Sequence, residues 1–543
     1  VTLAPSHLIV APVVLPLVTA TILVLLGDAN RRAKGVVNIG AALVGVLIAL
    51  ALLSRVDGPG AGVYLASNWE APYGIVLVAD ALSTLMLALA SVVALCVAVY
   101  SEARWARTGT YFHALFQVQL MGLNGAFLTG DLFNLFVFFE LMLAASYGLQ
   151  LHGSGWPRVR SGLHYIAVNL LASSLFLIGL AIIYGITGTL SMADIARRLP
   201  LVAAGDRGLL HAGMAVLAVA FLIKAAIWPL NAWLVPTYAA ASAPVAALFA
   251  LMTKVGLYVI VRLWTLFFSD PGPSSHFGAP VLVVAGLMTL SFGTLGLISS
   301  MQLRRVAGYS IIVSSGTLLF AVGIGKASVT AAALFYLLTA TCSVSALFLL
   351  VELMERIGGD TRPQRRADRE VDEDTNLDDD ETPLVGRAFP LSLALLGIGF
   401  MTCSVLVAGL PPLSGFIAKL ALLRSVLGFD TDAASAGPVP AVWWFLGLLL
   451  TSGLAATITL ARSGIRHFWR KDGASAPQVK VLEAVSVCTL ILCGVGLTVN
   501  AERVLHYTNA AAAGLHSPAG YIDAVFATLP RPGPTRPDLE PAP

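Results

Sequence analysis

The sequence predicts an all-α polytopic membrane protein with about fourteen transmembrane helices. Three observations lead there: the composition, the spacing of the apolar runs, and the side on which basic residues fall. Of 543 residues, 57% are hydrophobic and 12% are charged, and the mean hydropathy is +0.84. A soluble protein needs more charge on its surface than this. The net charge of +3 is scattered in short clusters, without the continuous basic stripe that a nucleic acid requires.

Apolar runs long enough to cross about 30 Å of hydrocarbon begin near residues 8, 35, 80, 111, 131, 162, 209, 241, 280, 306, 328, 389, 441 and 481. The first, Leu8 to Leu26, has basic residues only behind it, the reverse of a secretory signal's flanks, and reads as a span entered from outside. Spans one to three fill residues 1–110, and "VYLASNWEAPYGIVLVAD" (63–80) alternates like a short outside hairpin. Spans four to eight occupy 111–267, and spans nine to thirteen occupy 280–460. The second block contains an acidic cytoplasmic loop, 355–388, with the composition of a disordered linker. It reads as a solvated connection or as a partner-binding segment. An amphipathic linker and span fourteen cover 461–500, and a C-terminal tail covers 501–543, where "LPRPGPTRPDLEPAP" has a disordered composition.

The basic clusters "NRRAK" (30–34), "SEARWAR" (101–107), "WPRVR" (156–160), "QLRR" (302–305), the arginines of 355–388 and "RSGIRHFWRK" (462–471) all follow odd-numbered spans. By the positive-inside rule these ends are cytoplasmic and both termini are outside, although Arg197, Arg198 and Arg207 run against the scheme.

Span seven, "LIKAAIWPLNAWLVPTYAAASAP", and span twelve, "VAGLPPLSGFIAKLAL", are interrupted by proline, at Pro229 and Pro236 and at Pro411 and Pro412. The breaks lie five spans apart, so the two spans cross the membrane in opposite directions. Broken helices at matching places of inverted repeats line ion sites in transporters. The repeats are expected to be spans four to eight and nine to thirteen.

Four charges fall inside spans: Glu140 in span five, Lys224 at the first break, Lys254 in span eight and Lys419 at the second break. A charge at the bilayer centre costs about 2.5 to 3.5 kcal/mol on insertion scales. Glu140 and Lys224 are natural partners, either as a salt bridge that fixes packing or as a proton switch in which the acid sets the proton affinity of the lysine. Lysine suits the second role because its charge state responds to burial. Lys254 has no acid in its own span and reads as a relay or as a lysine reaching an interface. Lys419 reads as a terminal proton donor or acceptor, or as a packing residue. Hydroxyls that could hold water between them are Ser310, Ser314 and Ser315 in span ten and Thr339, Thr341, Ser343 and Ser345 in span eleven; helix packing is the competing reading for each.

Asp80 and Asp131, at span starts, read as helix caps. His113 and His164 read as packing or interface residues, and the five cysteines as small core residues. No nucleophile with a base, no phosphate loop and no metal-ligand spacing is evident, so neither covalent catalysis nor a cofactor is expected.

"GDLFNLFVFFELMLAASYGL" (130–149), "FLIKAAIWPLNAWLVPTYAAASAPVAALFALMTK" (221–254) and "RRVAGYSIIVSSG" (304–316) resemble signatures of a known family. It comprises the antiporter-like membrane subunits of multisubunit Mrp-type cation/proton antiporters, respiratory complex I and membrane-bound hydrogenases. With "GLPPLSGFIAKLALL" (409–423) and the chain length, the resemblance is strongest to the D subunit of the Mrp type. It implies proton translocation by Glu140, Lys224, Lys254 and Lys419. Where many relatives carry histidine or a further lysine, this chain has Ser314, Thr339 and Val344, so hydroxyls and water must connect the two half-channels.

The resemblance further implies a plasma-membrane complex with other subunits, exchanging protons for Na+ or another monovalent cation. The cation path is expected in another subunit, because Glu140 is already engaged. A proton-pumping subunit of a complex I-like quinone reductase or hydrogenase is the alternative within the family. A non-transporting scaffold is the alternative outside it.

Overall fold

A computed structural model describes residues 7–27, 30–56, 60–107, 109–269, 271–357, 391–428, 440–468 and 478–530. Nearly all of the acidic loop and the Pro-rich segment of the tail lie outside the described residues. The chain begins with α1 (His7–Leu25), α2 (Arg31–Leu53) and α3 (Ala81–Ala103), with β1 (Gly62–Leu65) and β2 (Val76–Ala79) paired antiparallel before α3. The first helical block is α4 (Phe112–Leu128), α5 (Leu132–Leu151), α6 (Trp156–Thr187), the short α7 (Met192–Arg198), α8 (Ala204–Lys224), α9 (Leu234–Ala240) and α10 (Ala243–Phe268). The second is α11 (Ala279–Ser299), α12 (Leu303–Ile324), α13 (Ala327–Glu355), α14 (Leu391–Ala408), α15 (Ser414–Leu427) and α16 (Pro440–Phe468). Helices α17 (Val481–Val499), α18 (Ala501–Leu515) and α19 (Ala519–Ala527) complete it. Part of the expected tail is therefore helical.

Thirteen described helices are long and apolar enough to cross a membrane. Helix α4, the fourth expected span, has 17 residues, at the short limit of about 17 for spanning. Span seven is α8 with α9, and span twelve is α14 with α15. The sequence does not separate inner from outer helices, because lipid accepts the same side chains as the core. Packing separates them: every residue of α10 is buried, whereas α2, α14, α16 and α17 expose broad apolar faces. Of the cysteines, Cys96, Cys342 and Cys403 are buried, but Cys488 is exposed on α17, contrary to the core reading and for this same reason.

Ionic contacts mark the two ends of the bundle. At one end Arg304 pairs with Glu355 at 2.6 Å, and Arg158 Nε donates to the Ala240 carbonyl at the end of α9. There too Arg356 bridges Glu352 at 2.5 Å and Glu483 at 2.8 Å, while the Trp105 indole donates to Glu352. Burial works against the Arg356 charge, but the two carboxylates outweigh it and raise its pKa. At the other end Asp80 caps α3 by accepting from the Ser83 N–H at 2.9 Å. It also receives both arms of the buried Arg262 of α10 at 2.5 and 2.6 Å. Asp131 caps α5 through the Asn134 N–H at 2.8 Å. Helices α18 and α19 fold over this end, with the Tyr507 hydroxyl donating to the Ala81 carbonyl at 3.1 Å and the Arg262 guanidinium 5.3 Å from the Tyr521 ring centre.

The fold predicts a large effect at Asp80. Asp80→Asn strands a buried guanidinium, which costs about 3 kcal/mol or more, so the purified protein should melt earlier in detergent. An unchanged melting curve would place Arg262 in contact with solvent instead.

Candidate functional site

The four intramembrane charges sit where helices stop or touch. Helix α8 ends at Lys224, and the chain then turns through Ala225 to Trp233 before α9. Pro229 lies inside that interruption, after a cis bond from Trp228. Pro236 does not: it occupies the first turn of α9, where a helix has no use for the missing N–H. Two backbone groups at the break take side-chain partners. The Trp228 N–H donates to Thr289 Oγ1 of α11 at 3.0 Å, and the Trp233 indole donates to the Ile223 carbonyl at 3.1 Å.

Lys224 is buried at the C-terminus of α8, the dipole end that attracts a cation. Its amine has no hydrogen-bond partner among the described residues and stands 4.9 Å from the centre of the Phe139 ring. Glu140 follows Phe139 directly in α5. The direct ion pair allowed by the sequence is absent among the described residues. The reason is local: Ser173 Oγ of α6 donates to Glu140 Oε1 and draws the carboxylate toward α6.

Helix α10 meets the break at Gly256. A Cβ there would lie 2.9 Å from the Ala225 nitrogen and 3.2 Å from the Lys224 carbonyl carbon, so only glycine admits this approach. Two residues before it, the buried Lys254 amine donates to Ser314 Oγ of α12, whose hydroxyl donates onward to the Ile311 carbonyl at 2.8 Å.

Beyond Ser314 lies a cavity of about 30 Å³ that reaches Lys419 and is lined by Ser310, Thr339 and Ser343. That volume is about the share of one water in the liquid. Tyr336 of α13 and Ser452 of α16 also line it; neither carries a charge that would have singled it out in the sequence. Val344, another lining residue, brings no polar atom. Ser315, Thr341 and Ser345 do not line it. The Ser315 hydroxyl is buried without a partner, Thr341 donates to the Leu337 carbonyl at 2.7 Å, and Ser345 donates to the Ala247 carbonyl at 3.0 Å.

Pro411 and Pro412, joined by a cis bond, lie between α14 and α15. Lys419, in α15, turns back so that its amine donates to the Ala408 carbonyl at 2.7 Å, the last residue of α14. Both lysines of the broken spans thus stand at a helix C-terminus. Gly409, at φ +72°, makes room: a Cβ there would lie 2.7 Å from Lys419 Cδ. His164 is exposed on α6, whereas His113 is buried on α4 near Glu102.

Residues 129–437 match the family described as NADH:quinone oxidoreductase/Mrp antiporter, transmembrane. A Rhizobium meliloti protein, named as the D subunit of a probable K(+)/H(+) antiporter, is 48% identical, over 97% of this chain and 99% of its own length. The D subunit of the Na(+)/H(+) antiporter of Alkalihalophilus pseudofirmus is 33% identical, over 96% and 99%. Among solved structures, a chain of the Mrp complex from Dietzia sp. DQ12-45-1b superposes with a TM-score of 0.80 at 26% identity, covering 96% of this chain and 100% of that one. A chain of respiratory complex I from Thermus thermophilus gives 0.74 at 20% identity, a likeness of fold, over 95% and 99%.

The cavity can be tested directly. In a cysteine-free background, the thiol of Ser343→Cys should exchange S–H for S–D in heavy water faster than that of Thr341→Cys, read by infrared spectroscopy. Equal exchange of both would remove the distinction. The match over more than half of the sequence, and relatives that align end to end, place this multi-pass membrane chain in the NADH:quinone oxidoreductase/Mrp antiporter transmembrane family.

Proposed function

We propose that the chain is the proton-translocating subunit of a multisubunit antiporter that exchanges a monovalent cation, Na+ or K+, for protons. The names of its relatives support the class and leave both cations open. The observation that carries the reading is the line from Lys254 through Ser314 to the hydroxyl-lined cavity at Lys419. A hydroxyl donates and accepts at once, so serine and threonine with one intervening water can pass a proton that neither side chain retains.

In the first repeat, Glu140 alternates between Ser173 and Lys224. Held by Ser173, the carboxylate leaves the lysine to its ring contact and to the α8 dipole. Swung toward Lys224, it stabilises the ammonium and draws a proton onto it. Lys254 takes the released proton to Ser314, and Lys419 exchanges it at the second break. The cation crosses in a partner subunit, and the chain performs no covalent catalysis. It lies in the cell membrane with both termini outside.

The likeness to complex I is one of fold and does not favour a redox-driven pump. A pure scaffold gains nothing from buried charges whose insertion is costly.

Glu140→Gln, in vesicles carrying the assembled complex, should lower cation-dependent proton exchange to the level of vesicles without the complex. Retained exchange in assembled Glu140→Gln would sink the switch. Lys419→Ala should block exchange equally, and an unchanged rate would put the second half-channel elsewhere. Ser173→Ala, which removes one hydrogen bond to a carboxylate of about 2 kcal/mol, should change the exchange rate about thirtyfold. An identical rate and pH profile would assign Ser173 to packing alone.

A further inference from the structure

Helices α11 and α16 both finish at the end of the bundle where Arg304 meets Glu355. They pack together there, with Thr459 Oγ1 of α16 donating to the Leu297 carbonyl of α11 at 3.1 Å. Arg462 and Arg466 stand one turn apart in this part of α16, and both are exposed. Each guanidinium crosses to the same atom, the sulfur of Met301 in the link from α11 to α12, at 4.0 Å and 3.6 Å.

Basic residues at the end of a membrane helix serve orientation and the helix dipole by themselves, so the charge alone identifies nothing. The partners are the independent observation. Other arginines at this end meet carboxylates, Arg304 at Glu355 and Arg356 at Glu352 and Glu483. Arg462 and Arg466 meet none among the described residues, and the one acceptor that both reach is a thioether sulfur, a weak one. Met301 is itself 53% exposed. Two like charges brought to one neutral atom repel each other, and an anion between them removes that repulsion. Because both Nη2 groups stand within 4.0 Å of one sulfur, a single phosphate group can accept from both.

The surroundings select the kind of anion. On α16, Leu454 and Ile458 are exposed at one-turn spacing on the face that carries Arg462, and Ile465 is exposed between the two arginines. On α11, Leu295 and Ile298 are exposed in the turns that lead to Met301. A ligand with a phosphate at Met301 and acyl chains along these side chains matches the charged and the apolar part together. A soluble anion matches only the first.

We propose that Arg462 and Arg466 clamp the phosphate of an anionic phospholipid where α16 meets α11, displacing Met301 as their shared partner, with the acyl chains on the exposed apolar side chains of both helices. Basic pockets between membrane helices hold lipid headgroups in this way.

The test uses the full chain, purified, stripped of lipid and kept in detergent. Phosphatidylglycerol, phosphatidylcholine and inorganic phosphate are added separately, with binding read by native mass spectrometry and stabilisation by melting. Retention and stabilisation by phosphatidylglycerol, but not by phosphatidylcholine or phosphate, support the site. Arg462→Gln and Arg466→Gln, at exposed positions that should spare folding, should each weaken phosphatidylglycerol binding about fivefold, the effect of about 1 kcal/mol for one basic residue. Arg160→Gln, exposed on α6 at the same end of the bundle, should leave it unchanged. Equal weakening by all three would show diffuse surface charge and overturn the proposal, as would phosphatidylglycerol and phosphatidylcholine acting alike. An equal effect from inorganic phosphate would assign the arginines to a free anion and overturn the lipid. Binding that appears only once Asp378, Asp379, Asp380 and Glu381 are replaced by amides would give the arginines to that acidic segment, and would overturn it too. Proton exchange is not part of the readout, so the outcome is independent of the proposed switch.

Discussion

A helix interrupted inside hydrocarbon must have its freed backbone groups satisfied by the protein, because no water reaches them from the lipid side. The structure around both breaks follows from that constraint. At the first break Thr289 serves the freed Trp228 N–H, and the Trp233 indole adds a donor to the Ile223 carbonyl. At the second the amine of Lys419 serves the carbonyl of Ala408. Lys419 is therefore both part of what makes the break tolerable and a basic group next to the cavity, and in the proposed route fold and activity draw on the same atom.

The two repeats answer this constraint differently. The first places Glu140 beside the aromatic ring that its lysine faces, with the carboxylate held by Ser173. The second leaves its lysine on a carbonyl oxygen, with no acid lining the cavity beside it among the described residues. Lys254 joins them from α10, which is buried throughout and held against the first break by Gly256. A polar network in such a setting is costly to leave half-satisfied. In the proposed switch, that cost gives a small motion of Glu140 enough weight to alter the balance at Lys224.

Much of this was legible because charge and proline are conspicuous against an apolar background. Glu140, Lys224, Lys254 and Lys419 stood out for that reason, as did the breaks at Pro229 and at Pro411 and Pro412. Pro236 misled because proline in a first helical turn looks the same in sequence as proline in a break. Arg262 and Asp80, 182 residues apart, meet only in three dimensions, and so do Arg356 and Glu483, 127 residues apart. Tyr336 and Ser452 carry no signal that separates a cavity wall from ordinary packing. The absence of a direct Glu140–Lys224 contact was also out of reach, since it depends on which way a carboxylate turns toward a serine on another helix.

The central claim is that the position of Glu140 sets the proton occupancy of Lys224. Solid-state nitrogen spectra of lysine-labelled protein in lipid would test it most directly, with the Lys224 amine assigned by its loss in Lys224→Ala. This signal should move between ammonium and neutral amine as pH is varied, and the transition should shift in Glu140→Gln. A Lys224 signal that stays ammonium throughout, or that titrates identically in both proteins, would contradict the claim.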